Sequence, residues 1–154
     1  MERKTQIEAE GGQQELVITR EFVLPVELLF KAYIEPDLVE QWMETKVLKL
    51  ENKRGGSYQF ETTDPKGNKH RFNGVIHEFS ENRKIIRTFE MEQMPFGVQL
   101  EFLAFAKLTD DTSGLQIQTI FESVAHRDRM LRLPFARGLN LAHDRLQEIV
   151  SKLK

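Results

Sequence analysis

The spacing of hydrophobic residues changes along the chain, and each spacing predicts a different element. Residues 16–24 are rich in β-branched and apolar side chains and predict a strand. Pro25 suits the first turn of a helix, while Pro36 ends that helix and is followed by a second short helix over 37–43. The period then becomes two, with turn signals between runs. This pattern predicts further strands at 47–50, 57–62, 70–79, 84–92, 98–108 and 115–122.

The final segment has the period of an amphipathic helix. Its apolar side chains recur at steps of three and four, and they are Phe135, Leu139, Ala142, Leu146, Ile149 and Leu153. Pro134 predicts the start of this helix, and residues 126–133 predict a shorter helix capped by Ser123. Because the apolar stripe must be buried, we expect it to pack on one face of the sheet. The sequence therefore predicts an α+β fold, with a curved antiparallel sheet of six to seven strands wrapped round a long C-terminal helix.

The length of 154 residues is that of one domain. We divide the chain into a polar N-terminal arm, residues 1–14, and a single domain, residues 15–154. The arm is either frayed or part of a first strand. No hydrophobic stretch resembles a signal peptide or a membrane span, so the expected location is cytoplasmic, with no membrane insertion.

Composition narrows the classes of function. The formal net charge of −2 argues against a nucleic-acid partner. The chain has no cysteine, which excludes disulfides, thiol catalysis and thiolate metal sites. Its 11 Phe against 2 Tyr and 1 Trp indicate a large aromatic interior. That interior is either a solid core or the wall of a cavity, and composition leaves both open.

Residues able to carry catalysis or bind a metal are sparse. His70 and His77 are seven positions apart, so a regular strand points them to opposite faces. His126 and His143 are 17 residues apart, about 25 Å along a continuous helix. No serine lies in a nucleophile motif, and no glycine-rich loop has the sequence of a phosphate-binding loop. We therefore expect no catalytic residue, no metal and no cofactor.

Acidic residues in the strands alternate with apolar ones. Glu90 lies between Phe89 and Met91, and Glu101 lies between Leu100 and Phe102. Alternation places both carboxylates on the face opposite their apolar neighbours, which we interpret as the solvated face.

Several local motifs resemble one family. They are Ile-Thr-Arg-Glu-Phe at 18–22, the helix sequences at 25–33 and 36–42, Arg-Gly-Gly-Ser-Tyr at 54–58, Asp-Pro-Lys-Gly-Asn at 64–68, and Phe-Asn-Gly-Val at 72–75. Together they are similar to the family named for homology to the activator of the heat-shock-protein-90 ATPase. That family belongs to the helix-grip superfamily, with START domains and birch-pollen-allergen-like proteins. The resemblance covers residues 16–153.

This resemblance implies an internal cavity between the last helix and the sheet. The candidate ligand-binding residues are Trp42 near the entrance, Phe60, Phe72, Phe89, Phe102, Thr119, Phe121, Met130, Phe135 and Leu139. Thr88 and Arg71 are further candidates for orienting a polar group. The alternative is that the aromatic residues simply fill a core. The inward face of strand 98–108 stays open, because Phe102 lies on one face and Leu103 and Phe105 on the other.

Three functions follow as hypotheses. The first is a binding protein for a hydrophobic small molecule of a lipid, aromatic or polyketide-like kind. The second is a cavity enzyme of cyclase or hydrolase type, which would use polar groups such as His70, His77 or Arg71. The third is a chaperone-linked interaction module. If Leu103 and Phe105 face outward, they pack under a helix or form the contact of a homodimer.

Overall fold

The computed structural model describes residues 3–154, which form one antiparallel sheet and four helices. The strands are β1 (Gln6–Glu8), β2 (Glu15–Phe22), β3 (Lys46–Leu50), β4 (Ser57–Thr63), β5 (Lys69–Ser80), β6 (Lys84–Met91), β7 (Val98–Lys107) and β8 (Ser113–Ile120). The helices are α1 (Val26–Ile34), α2 (Pro36–Trp42), α3 (Val124–Leu131) and α4 (Phe135–Ser151). None of these helices combines the length and apolar character needed to cross a bilayer.

The strands follow the order β1-β2-β8-β7-β6-β5-β4-β3 across the sheet. Strands β3 to β8 are therefore consecutive hairpins, and β2 pairs with β8 to bring the N-terminal part of the domain to the far side. Bulges interrupt the register at Val47/Lys49 in β3 and at Ile76/Glu78 in β5. Bulges bend a strand and increase its twist, which suits a sheet that curves round a helix. The predicted α+β helix-grip architecture is confirmed.

The sheet has eight strands rather than the six or seven predicted. The additional strand is β1, which lies inside the segment that we expected to be a polar arm. Ile7 of β1 pairs with Ile18 of β2 at the edge of the sheet. The preceding Thr5 donates its backbone N–H to Asn140 Oδ1 on α4, at 3.0 Å. Residues 5–8 are thus held by both the sheet and the last helix.

Helix α1 packs an aromatic face against the sheet. Phe30 contacts Phe105 edge to face, with ring centroids 5.0 Å apart, and Tyr33 contacts the same Phe105 at 5.5 Å. Phe105 and its neighbour Leu103 are buried, at 6% and 0% exposure. Of the two arrangements left open for this pair, the structure shows packing under a helix.

Helix α4 packs differently along its length. In its C-terminal half, Leu146 and Val150 are completely buried and fill the space beneath them. In its N-terminal half, Phe135 and Leu139 are only half-buried. Leu153, which we placed in the buried stripe, follows the end of the helix and is 49% exposed. Helix α4 is therefore closely packed at its C-terminal end only.

Candidate functional site

A cavity of about 400 Å³ lies between the N-terminal half of α4 and the inner face of the sheet. This volume falls within the range of small-molecule sites, roughly 300–1,000 Å³. Most of its wall is aromatic or flexible and apolar, and those residues include Trp42, Met43, Phe72, Phe89, Met91, Phe121, Met130, Phe135 and Leu139. Methionine side chains are flexible, so the three in this wall can adapt to ligands of different shape.

The structure places the predicted site residues in two groups. Those that line the cavity are Trp42, Phe72, Phe89, Thr119, Phe121, Met130, Phe135 and Leu139. Phe60 does not line it, although Phe60 is buried and contacts the cavity residue Phe72 at 5.3 Å. Trp42 is 4% exposed and donates from its indole N–H to the carbonyl of Ala32, so it is an interior residue rather than one at the entrance.

Phe102 needs a correction, because it lies on the outer face of the sheet. Gln99, Leu103 and Phe105 are the buried residues of β7, and positions of the same parity share one face of a strand. Phe102, at the opposite parity, points away from the cavity and is only half-buried. The same parity turns Glu101 inward, so our placement of Glu101 on the solvated face is also wrong.

A row of polar residues crosses the inner face of three neighbouring strands. Arg87 of β6 stands opposite Glu101 of β7, and Glu101 stands opposite Thr119 of β8. Directly opposed residues have Cβ atoms about 5 Å apart, so the three side chains are neighbours. All three line the cavity. The row is therefore a polar band within an otherwise largely apolar wall.

Arg87 and Glu101 form an ion pair in this row. Arg87 Nε donates to Glu101 Oε1 at 3.0 Å, and the two side chains are 14% and 15% exposed. The guanidinium also lies against the Tyr58 ring, 5.1 Å from its centroid. Burial opposes the charge on Arg87, but the pKa of the guanidinium is raised, and the attraction and hydrogen bond of the Glu101 carboxylate favour its charged form. Arg87 therefore stays protonated inside the cavity.

Two tyrosines complete the polar part of the wall. Burial raises the pKa of both Tyr33 and Tyr58 far above the ordinary value, and the nearby Arg87 charge only partly offsets this. Both phenols are therefore neutral. Tyr58 donates its O–H to the carbonyl of Thr88 at 2.5 Å. This contact needs Gly74, since a Cβ there would lie 1.9 Å from that carbonyl oxygen and 2.7 Å from the Tyr58 hydroxyl.

Three further polar side chains line the cavity and belong to buried residues. They belong to Tyr33, Gln99 and Thr119, which are 6%, 5% and 3% exposed. A small number of polar side chains on a largely apolar cavity wall is typical of a site that orients a ligand.

Sequence reasoning missed Tyr33, Tyr58, Arg87, Gln99 and Glu101. One signal in the sequence could have found Arg87 and Glu101. Phe89 is predicted to face inward, and Arg87 lies two positions before it on the same strand and therefore on the same face. The antiparallel register then brings Glu101 opposite Arg87.

The residues named for a cavity enzyme lie outside the cavity. His70 and His77 are exposed, and His70 pairs with Asp64 at 2.9 Å. The side chain of Arg71 is 51% exposed and pairs with Glu61 on the outer face. Thr88 uses its hydroxyl to accept a hydrogen bond from the backbone N–H of Val75. The enzyme hypothesis in the form that used His70, His77 or Arg71 is therefore wrong.

The two helical histidines have structural partners. Ser123 caps α3 as predicted, because its hydroxyl accepts from the backbone N–H of His126 at 3.1 Å. His143 is fully buried on α4, and its Nδ1 lies 2.6 Å from Thr5 Oγ1. Across the part of the chain that the structure describes, no three carboxylate or imidazole groups come close enough to hold a metal ion.

The curved sheet, the long C-terminal helix and the cavity between them define a helix-grip protein. More specifically, the chain belongs to the family described as activator of Hsp90 ATPase homolog 1-like protein, whose family model matches residues 23–151. No curated protein sequence matches the chain significantly.

Solved structures from several bacteria share the fold. A Mycobacterium smegmatis protein is 18% identical, with a TM-score of 0.85 over 95% of this chain and 96% of that chain. An Arthrobacter aurescens protein is 17% identical, with a TM-score of 0.85 over 96% of this chain and 91% of that one. A Rhodobacter sphaeroides protein is 19% identical, with a TM-score of 0.84 over 97% of this chain and 100% of that chain. At such identities the likeness shows the fold and nothing of the ligand.

Proposed function

We propose that this protein binds a hydrophobic small molecule in the cavity between α4 and the sheet. The observation that carries the proposal is the difference between the two halves of α4. Leu146 and Val150 are fully buried, whereas Phe135 and Leu139 stand over an open space of about 400 Å³. A helix that only completed a core would be packed along its whole length.

The character of the wall supports an apolar guest. Rings and thioethers surround the space, and Arg87, Glu101 and Thr119 form a polar band across the sheet side of the wall. Burying about 200 Å² of apolar ligand surface at about 25 cal/mol/Å² contributes roughly 5 kcal/mol before the costs of association. Fit alone therefore supports binding of moderate affinity, and an aromatic, lipid or polyketide-like body suits the wall.

The proposal rests on the cavity and not on the family's name. An interaction with a chaperone would need a surface patch, whereas the features singled out above lie inside the protein.

A thermal-shift screen of lipids, flavonoids and polyketides tests this proposal with two matched variants. Leu139→Trp places an indole in the cavity, while Leu141→Trp makes the same change two residues away on the exposed face of α4, where Leu141 is 47% exposed. We expect compounds that raise the melting temperature of the wild type and of Leu141→Trp but not of Leu139→Trp. A library in which no compound stabilises the wild type, or one whose hits stabilise all three proteins equally, would overturn the proposal.

A further inference from the structure

The charges inside the cavity balance each other. Among the residues that line it, Arg87 and Glu101 are the only charged ones, and they are joined by a 3.0 Å hydrogen bond. The cavity is therefore formally neutral before a ligand enters. A charged guest would bring an uncompensated charge into a space closed mainly by apolar side chains, where water cannot solvate it fully.

The pair nevertheless keeps unused hydrogen-bonding capacity. Arg87 donates to Glu101 through Nε, and its two terminal nitrogens donate to no other residue within 3–154. Glu101 accepts with Oε1, and its Oε2 accepts from no described residue. A guest lying against the pair therefore meets strong donors and a strong acceptor side by side.

Two neighbouring side chains add further hydrogen-bond donors and acceptors. Thr119 stands opposite Glu101, and its hydroxyl can donate and accept. Gln99 lies two positions before Glu101 on the same face of β7, and its amide offers two donors and one acceptor. Both residues are at least nine-tenths buried, and both line the cavity. Gln99 and Thr119 therefore lie beside the Arg87–Glu101 pair on the inner face of the sheet.

From this arrangement we propose that the cavity selects an uncharged ligand whose head group carries a hydrogen-bond acceptor and a donor together, such as a carboxamide or an enol beside a carbonyl. The acceptor lies against the terminal nitrogens of Arg87, and the donor lies against Glu101 and Thr119. The apolar body extends along the aromatic wall. This inference rests on the proposed function and names the chemical class of its ligand.

The stability of the fold does not require the Arg87–Glu101 ion pair. A buried ion pair loses in desolvation much of what it gains in attraction, and apolar side chains of similar size often serve the fold equally well. The position of the ion pair in the wall of a cavity, beside other polar side chains, is better explained by ligand recognition. The opposite charges also prevent either residue from attracting a ligand of opposite sign by itself.

Two isosteric probes test whether the cavity prefers an uncharged head group or an anionic one. At pH 7, 2-naphthamide is neutral and carries a donor and an acceptor, whereas 2-naphthoate has nearly the same shape and is an anion. Naphthalene serves as the probe without a head. Dissociation constants come from isothermal titration calorimetry with the full chain. We expect the wild type to bind the amide about tenfold or more tightly than the carboxylate, since a lost hydrogen bond to a charged group accounts for a difference of that size.

Variants of the pair make the test specific. Glu101→Gln leaves Arg87 unpaired, so the order should reverse and 2-naphthoate should bind more tightly than the amide. The double variant Arg87→Met with Glu101→Leu removes both charges and so leaves no unpaired charge. It provides a second test if the single variant does not fold. This double variant should lose about tenfold in affinity for 2-naphthamide while its affinity for naphthalene stays the same.

The outcomes distinguish this inference from the proposal beneath it. Equal binding of amide and carboxylate by the wild type, an unchanged order in Glu101→Gln, or full amide affinity in the double variant would each overturn the inference and leave the cavity as a binding site. Failure of all three probes to bind the wild type would count against the proposed function itself, and the inference would fall with it.

Discussion

Protonation of His143 should destabilise the protein as the pH falls. The imidazole is fully buried, its Nδ1 lies 2.6 Å from Thr5 Oγ1, and its ring meets the edge of Phe22 with centroids 5.6 Å apart. Nε2 has no partner among the described residues. Burial, helped by the charge of Arg20 and partly opposed by Asp144, lowers the pKa of His143 from 6.5 to about 3.

The sign of the effect follows from the direction of this shift. Because the folded pKa lies below the unfolded one, the unfolded chain binds more protons between the two values, and the contribution of His143 to stability is lost as the pH falls below 6.5. With these two pKa values, the free energy of unfolding should fall by about 2 kcal/mol between pH 7 and pH 5. For a domain of this size that corresponds to a decrease of about 4–8 °C in melting temperature.

Urea denaturation of the wild type and of His143→Asn at pH 7 and pH 5 measures this contribution. The asparagine amide reaches toward Thr5 as Nδ1 does but does not titrate, so the variant should lose about 2 kcal/mol less than the wild type over this interval. Arg20 and Asp144 form an ion pair that is common to the two proteins, so the comparison isolates the contribution of His143. Equal losses of stability in the two proteins would refute the reasoning.

Three further predictions use the same denaturation assay. Gly138→Ala should stabilise the protein by about 0.5–1 kcal/mol, because the added methyl would meet no atom within 4 Å, and a decrease would contradict the helical placement. Gly74→Ala should destabilise it by about 1–3 kcal/mol, because the new Cβ would meet the Thr88 carbonyl oxygen at 1.9 Å; a neutral result would count against the described fit. Phe105→Ala should cost about 3–5 kcal/mol and Phe102→Ala clearly less, since only Phe105 is buried beneath α1, and the reverse order would show that the faces of β7 have been exchanged.

The order of elements could be read from the sequence because local signals agreed with one another. Pro25 and Pro134 mark helix starts in both the prediction and the structure, and Pro36, predicted to end the first helix, is the first residue of α2. The steps of three and four in the last segment fixed its helical face closely enough to identify Phe135 and Leu139 as cavity residues. Short polar turns between alternating runs predicted hairpins, which the structure confirms.

The faces of β7 could not be read in the same way. Alternation divides a strand into two faces but does not say which is buried, and both faces of β7 carry large apolar side chains. The pattern therefore predicts an inward Phe102, which turns Glu101 outward. Only the register with Arg87 on β6 resolves this ambiguity.

The burial of His143 could not be predicted from the sequence, for a different reason. It lies within the apolar stripe of α4, between Leu139 and Leu146, but a polar residue there is read as the edge of the stripe. Its burial depends on Thr5, which is 138 positions away in the chain, and local patterns contain no such information.

The central claim is that a ligand binds in the cavity under the N-terminal half of α4. Intermolecular NOEs between 2-naphthamide and the methyl groups of the protein test it directly. We predict NOEs to the methyls of Met130 and Leu139, which line the cavity, and none to those of Leu141 and Leu153, which are 47% and 49% exposed. NOEs confined to the exposed methyls would contradict the account.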